Sequence, residues 1–395
     1  MQIVAQSPQK TPLAPIGAFT LLSVASLTIM VGCAIVPALP SIAPALGVPH
    51  ASSWLVTLPS LGVVLLAPIA GRTIDKIGNR RALCLGLALY GLLGLGALAT
   101  HGLVAVFADR IFLGGATALV MSAGTGLISE FYAGSARMHM IARQGMAIEL
   151  GGIIFLFVGG LLAKLGWAGP FSLYAIAFVF LLMVLAFVPS EQQSERPERE
   201  SLSTTTKNGI RIVYAAALLS MTVFFTAVIV LPFRLAVFVP HHFTESEVGY
   251  FLAFVSLVAV GAAFTMPRLV RRLGELRTLA VAFCAYALAH TCFTFALSLP
   301  LLILGAVCLG CGFGFSIPLV NHMTVERSSS AQRGKALAYL SMAIFVGQFM
   351  SSFMDFMPGG YVAIFRTAAI AAICTAIAYG LLLRGQVQPN ELQSD

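Results

Sequence analysis

Charge is what this sequence has least of: only 10% of its 395 residues are Asp, Glu, Lys or Arg. Soluble domains carry about 25% charged residues, so this scarcity excludes a fully solvated globular surface. Short strands that alternate polar and apolar residues are also missing, which excludes a membrane barrel. No grouping of Ser, His and Asp, of metal ligands or of phosphate-cradling glycines is visible, so an enzyme is not expected. Residues 1–15 contain no acidic residue and no small-residue cleavage site, and the first apolar run is read as a retained helix rather than a removed signal.

What is present is apolar bulk. Hydrophobic residues make up 58% of the chain, the mean hydropathy is +0.93, and 37 glycines are spread along it. Apolar runs of about 20 residues, each long enough to cross a bilayer as a helix, recur from end to end. Twelve spans are expected: 15–38, 54–71, 82–100, 104–127, 142–163, 170–188, 211–234, 248–267, 278–296, 299–322, 336–356 and 361–384. The seven cysteines all fall inside these runs, where they serve as small packing residues.

The net charge of +8 would point to nucleic acid in a soluble protein; here its placement reads as membrane topology, and no nucleic-acid partner is expected. With a cytoplasmic N-terminus, the basic loops around Arg72, Arg137, Arg196, Arg268, Arg327 and Arg384 all fall inside, and Lys164 alone falls in an outer loop. Arg110, Arg234 and Arg366 lie within spans or at their ends. This asymmetry predicts both termini in the cytoplasm. Trp54 and Trp167, the only tryptophans, fall at the outer ends of spans. The expected order is a cytoplasmic tail (1–14), a six-helix half (15–188), a polar linker (189–210), a second six-helix half (211–384) and a tail (385–395).

An offset of 196 residues aligns Gly78 with Gly274, Gly114 with Gly310, Glu130 with Glu326 and Arg137 with Arg333. Two halves of like orientation follow, the arrangement of parallel transporter repeats. Between spans 2 and 3 lies "GRTIDKIGNRR" (71–81), in which Gly71, Asp75, Lys76, Gly78, Asn79 and Arg80 fit the pattern G-x-x-x-D-[RK]-x-G-[RN]-[RK]. On these residues the chain resembles the major facilitator superfamily, an all-α membrane fold of twelve helices in two six-helix pseudo-repeats. Asn79 departs from the commonest pattern, which has arginine there. "RIFLGGATA" (110–118) resembles the family's fourth-helix motif, whose arginine is implicated in proton coupling. "FLFVGG" (155–160) keeps two glycines of the exporter signature but has Phe155 and Leu156 where a Gly-Pro pair is usual. "PALP" (37–40) after span 1 resembles the drug and siderophore antiporter branch.

A positive-inside anchor explains the bases of 71–81 but not Asp75. That carboxylate is expected to pair with the loop's own bases, with Arg137 or Arg143, or with a helix start; the family implies docking on the eleventh helix when the cytoplasmic side is closed. Gly71, Asp75, Lys76, Gly78, Arg80 and Glu130 are therefore the gating candidates, with Glu130 and Glu326 expected to pair with nearby arginines. A charge at the bilayer centre costs about 2.5 to 3.5 kcal/mol on insertion scales, so intramembrane charges mark function or a paired structural role. Asp109 and Arg110 are neighbours in sequence, so they are expected to face different partners. Glu149 sits on the small-residue stripe Gly145, Gly152, Leu156, Gly159, Ala163 of span 5, away from lipid, where burial disfavours its charged form. Glu149, Arg110, Asp109, Asp355 and His290 are the proton-coupling candidates, and Gln348, Ser352 and Tyr286 the substrate-cavity candidates.

The leading expectation is a monomeric, proton-coupled exporter of small amphiphilic molecules in the inner membrane, driven by the proton gradient without a cofactor or metal. A proton-coupled metabolite importer and a non-transporting receptor on the same fold are the alternatives.

Overall fold

The computed structural model describes residues 13–190, 209–239, 241–329 and 332–387. Nearly all of both expected tails and residues 191–208 of the expected linker lie outside these. Among the described residues there is no strand, and twelve helical spans are long and apolar enough to cross a membrane.

Span 1 is broken. Helix α1 (Pro15–Cys33) gives way to a 3-10 turn (Val36–Ala38) and then to α2 (Leu39–Ala45). Pro37 has no N–H to offer the Cys33 carbonyl, so the α-helical ladder stops there. The "PALP" segment therefore lies inside span 1, not after it: prolines fit a tight turn and the first turn of a new helix. Helices α3 (Trp54–Ile77), α4 (Asn79–Gly96), α5 (Leu103–Phe131), α6 (Gly134–Leu162) and α7 (Ile176–Phe187) complete the first six spans. The second six are α8 (Ile210–Ala236), α9 (Glu245–Leu273), α10 (Glu275–Thr294), α11 (Leu299–Arg327), α12 (Arg333–Met350) and α13 (Gly360–Val387).

Several helices outrun their apolar stretches. The charged segment 71–81 was expected as a loop, but α3 continues to Ile77 and α4 begins at Asn79. Hydropathy marks where hydrocarbon ends; nothing between Arg72 and Ile77 breaks a helix. The turn is made by Gly78 alone, at φ 81°, a left-handed conformation costly to other residues.

The halves repeat at the level of contacts. Gly274 turns α9 into α10 at φ 83°, as Gly78 turns α3 into α4. A methyl on Gly114 of α5 would collide with the Pro59 carbonyl; on Gly310 of α11 it would meet the Val255 carbonyl, at the position 196 residues on. Small residues thus let α5 cross α3, and α11 cross α9, at backbone distance.

Arginines tie down both described ends of the segment joining the halves. Arg80 donates to the Leu185 and Val188 carbonyls, at 3.0 and 2.7 Å, and to Ser190 Oγ at 3.2 Å, capping the end of α7. Arg327 donates to the Gly209 carbonyl at 3.2 Å, just before α8, and to Glu275 at 2.6 Å. Glu326, expected to take an arginine, pairs with His322 at 3.2 Å instead, because Arg327 next to it is already held by Glu275.

One end of the molecule is basic: α1 starts there, and Arg72, Lys76, Arg137, Arg271 and Arg272 sit there. The halves meet toward the far end. Trp54 of α3 packs against Phe349, Phe353 and Phe356 of the second half at 5.6, 5.8 and 6.3 Å, and the Thr57 and Ser352 hydroxyls bond to each other. On the opposite flank Ser246 of α9 donates to the Gly160 carbonyl of α6 at 2.8 Å, Phe157 packs on Tyr250 at 4.9 Å, and Glu245 lies near Ser41, whose hydroxyl donates to the Ala38 carbonyl at 3.1 Å. Residues 133–139, almost two full turns, are all exposed, so the start of α6 is clear on every side.

Candidate functional site

The break in span 1 sits where several polar side chains converge. Gln348 of α12, 6% exposed, brings its amide close to Gly32: a methyl there would lie 3.8 Å from Nε2. Glu149, half-buried near the middle of α6, lies within electrostatic reach of Cys33 in α1 and of Tyr286 in α10. The stripe expected around Glu149 is present but graded: Gly152, Leu156, Gly159 and Ala163 are buried, whereas Gly145 is exposed. Gly152 packs near Ile29 and Gly159 against the Ala34 carbonyl, so the stripe seats α6 on span 1.

Tyr286 is fully buried, and its hydroxyl joins Ser220 of α8 and Ser316 of α11 in a triangle with sides of 2.9, 3.1 and 2.7 Å. Each hydroxyl can donate once and accept once around this ring. One turn on, His290 is also fully buried; Nε2 bonds the Val223 carbonyl at 3.0 Å, and Nδ1 has no partner among the described residues. Ser352, buried, belongs to the contact with Thr57 between the halves. The side chain of Asp355 lies outside the described residues.

Asp109 and Arg110 form a second cluster, inside the first half, and it overturns one expectation. The neighbours bond each other: Arg110 Nε and Nη2 donate to Asp109 Oδ2 at 3.1 and 2.8 Å. Arg110 is fully buried, and leaving its charge unpaired there costs more than folding its long stem back one residue. The guanidinium also lies over the Phe171 and Tyr174 rings, at 5.7 and 5.8 Å. Tyr174 donates to the Val31 carbonyl and Tyr90 of α4 to the Leu27 carbonyl, both at 2.8 Å. The ion pair and two tyrosines thus fasten α1 to α4, α5 and the start of span 6.

At the basic end, Asn79 donates to Glu130, joining the start of α4 to the end of α5. Asn79 stands 196 residues before Glu275, which in the second half forms an ion pair with Arg327. Asp75 and Lys76 are exposed on the last turn of α3, and a methyl at Gly71 would meet nothing within 4 Å. Ser220, Ser316, Thr57, Tyr90 and Tyr174 were not singled out from sequence. One signal was available: Tyr90 and Tyr286 are related by the 196-residue offset.

The family model of the Major Facilitator Superfamily matches residues 19–352 and, in a second placement, 213–394. The chain is 30% identical over 321 residues to the tetracycline resistance protein, class D, of Salmonella ordonez, spanning 76% of this chain and 79% of that one. It is 28% identical to multidrug resistance protein 2 of Bacillus subtilis, over 62% of this chain and 64% of that one. It is 25% identical to the quinolone resistance protein NorA of Staphylococcus aureus, over 58% of each chain. Among solved structures, the nucleoside transporter NupG superposes with a TM-score of 0.72 at 14% identity, covering 93% of this chain and 98% of that one. The POT family transporter PepTSo gives 0.77 at 12%, covering 95% and 99%. These two show the shared fold.

Proposed function

The chain belongs to the Major Facilitator Superfamily, and we propose that it is a proton-coupled exporter of small amphiphilic molecules, working by alternating access of its two halves. The placement of Glu149 carries this reading: it lies on α6, the helix of the first half that packs through Gly160 against Gly249 of α9 in the second, so it sits beside the junction that alternating access must change. The relatives named for tetracycline, multidrug and quinolone resistance support export of drug-like compounds. The concentration of Lys and Arg at one end supports a cytoplasmic basic end, both tails inside, in the inner membrane. Because one chain supplies both halves of the pathway, a monomer is sufficient.

In this reading the structure is the cytoplasm-open state, with residues 15–188 and 211–384 as the two bodies that rock. The outer gate has two arms: Trp54 and Thr57 against Phe349, Ser352, Phe353 and Phe356, and Gly160 and Ser41 against Ser246 and Glu245. A substrate enters from the cytoplasm toward Gln348 and the break in span 1 and meets Glu149 in its proton-free form. Rocking opens the arms, a proton arriving from outside takes the carboxylate, and the substrate leaves. Return with the proton bound and its release to the cytoplasm reset the cycle, and about 2.3 kcal/mol per charge per 100 mV is available to drive it. Asp75, at the basic end of α3, governs the rocking rather than binding.

The test is uptake of a fluorescent amphiphilic cation into inverted vesicles. An imposed inward-acid gradient should drive accumulation, and a protonophore should abolish it. Accumulation that ignores the gradient, or movement only in the opposite sense, overturns the reading.

A further inference from the structure

At the outer end, between the gate residues Trp54 and Phe356, lies a cavity of about 330 Å³ to which the transport cycle above assigns no ligand. Its first wall is aromatic: Trp54 is stacked on Phe107 at 5.6 Å with the rings 7° from parallel. Leu103 and the turn from Gly47 to Ala51, His50 included, also line it. Its second wall is Phe356, which belongs to the other half, meets Trp54 edge-on at 6.3 Å and is 69% exposed.

We propose that this cavity binds small, uncharged, planar aromatic compounds, and that a compound seated in it holds the outer gate shut. The volume lies at the lower end of small-molecule sites, about 300 to 1,000 Å³, which suits two fused rings. Stacked and edge-on rings offer a flat guest both favoured aromatic geometries. Among the described residues the lining holds no Lys, Arg, Asp or Glu, so a charged guest would lose hydration without gaining a counter-charge from them. His50 in the lining serves one hydrogen-bonding substituent. The guest is thus chemically distinct from a substrate that meets Glu149.

The effect on the gate follows from the origin of the walls. Phe356 closes the cavity only while the segment after α12 (Ser351–Phe356) lies against α3. A ligand that needs both walls binds one state alone and shifts the equilibrium toward it. At a hundred times its Kd the shift is about a hundredfold. This inference rests on the alternating-access reading for the gate, but not for the binding.

The probe is 5-nitroindole, an uncharged, planar, quenching two-ring compound with one N–H donor. In the full-length protein carrying Trp167→Phe, Trp54 is the only tryptophan emitter. Its quenching should saturate, and Phe356→Ala should raise the apparent Kd at least fivefold. In the same background, alkylation of Ser41→Cys by a membrane-impermeant maleimide from outside should slow at least threefold with the probe bound. Quenching that rises linearly, or is the same with Phe356→Ala, overturns the site. Saturable quenching with unchanged or faster alkylation overturns its hold on the gate. If vesicles show no gradient-driven uptake while quenching saturates, the exporter reading falls and the site stands; uptake without saturable quenching removes the site alone.

Discussion

Tyr174 donates its hydroxyl to the carbonyl of Val31, at 2.8 Å, just where span 1 ceases to be an α-helix. In a continuous helix that carbonyl would accept from the Ile35 N–H, but Ile35 turns to Gly32 instead, at 3.3 Å. A side chain from span 6 thus replaces a lost backbone bond, as a broken membrane helix requires.

Tyr174→Phe should therefore destabilise the first half while keeping its ring over Arg110. The loss is about 1 to 3 kcal/mol for a buried acceptor left unmade. Thermal unfolding in detergent measures it, with Tyr90→Phe, which removes a bond to the Leu27 carbonyl within α1, as the comparison. If Tyr174→Phe costs no more than Tyr90→Phe, the break does not depend on the bond to Val31.

The ion pair of Asp109 and Arg110 predicts a strong asymmetry between single and double changes. Asp109→Asn leaves a fully buried guanidinium without its counter-charge, and should cost about 3 to 5 kcal/mol. The double change Asp109→Leu with Arg110→Met removes both charges and should recover most of the folded yield. Arg110→Lys keeps the charge but loses the fork that reaches Asp109 Oδ2 twice, and should fall between them. Size-exclusion profiles and unfolding midpoints rank the three; a double variant no better than Asp109→Asn refutes the pairing argument.

Asp75 lies on the exposed last turn of α3, far along that helix from Thr57 and Trp54 at the closed gate. Asp75→Asn should lower turnover at least tenfold and leave equilibrium affinity for the transported cation within about threefold. Transport rates in vesicles and binding to purified protein separate the two. Normal turnover with a large loss of affinity places Asp75 in the binding site and removes it from the gate.

The fold was legible because its determinants are one-dimensional. Apolar run length sets a span, and the offset relating Gly78 to Gly274 exposes two positions that need the same backbone turn. Helix ends were less legible, since α3 continues through Arg72 and Asp75 where hydropathy already falls. The break in span 1 was visible only as its prolines; which carbonyl is left over, and that Tyr174 meets it, depends on how span 6 packs. Asp109 and Arg110 show the limit of helical periodicity, which assigns a face to each Cβ but not the path of a long side chain. The hydroxyl triangle of Ser220, Tyr286 and Ser316 joins three helices that no local pattern brings together.

Glu149 carries the most demanding prediction, because its place ties the proton to the movement of the halves. It lies on α6, the helix that bears on span 1 through Gly152 and Gly159 and on α9 through Gly160. Glu149→Gln keeps the shape of the protonated acid and removes its titration, so the protein should fold and rock. Exchange of labelled substrate across the vesicle membrane, which needs rocking alone, should remain within about threefold of the parent. Uphill accumulation driven by a pH gradient should disappear, and the residual exchange should become independent of pH between about 6 and 8. Glu149→Asp, which retains a proton site on a shorter stem, should recover part of the gradient-driven accumulation. If Glu149→Gln still accumulates substrate against a gradient at the parental rate, the proton is carried elsewhere, and Asp355 and Asp109 become the carboxylates to test.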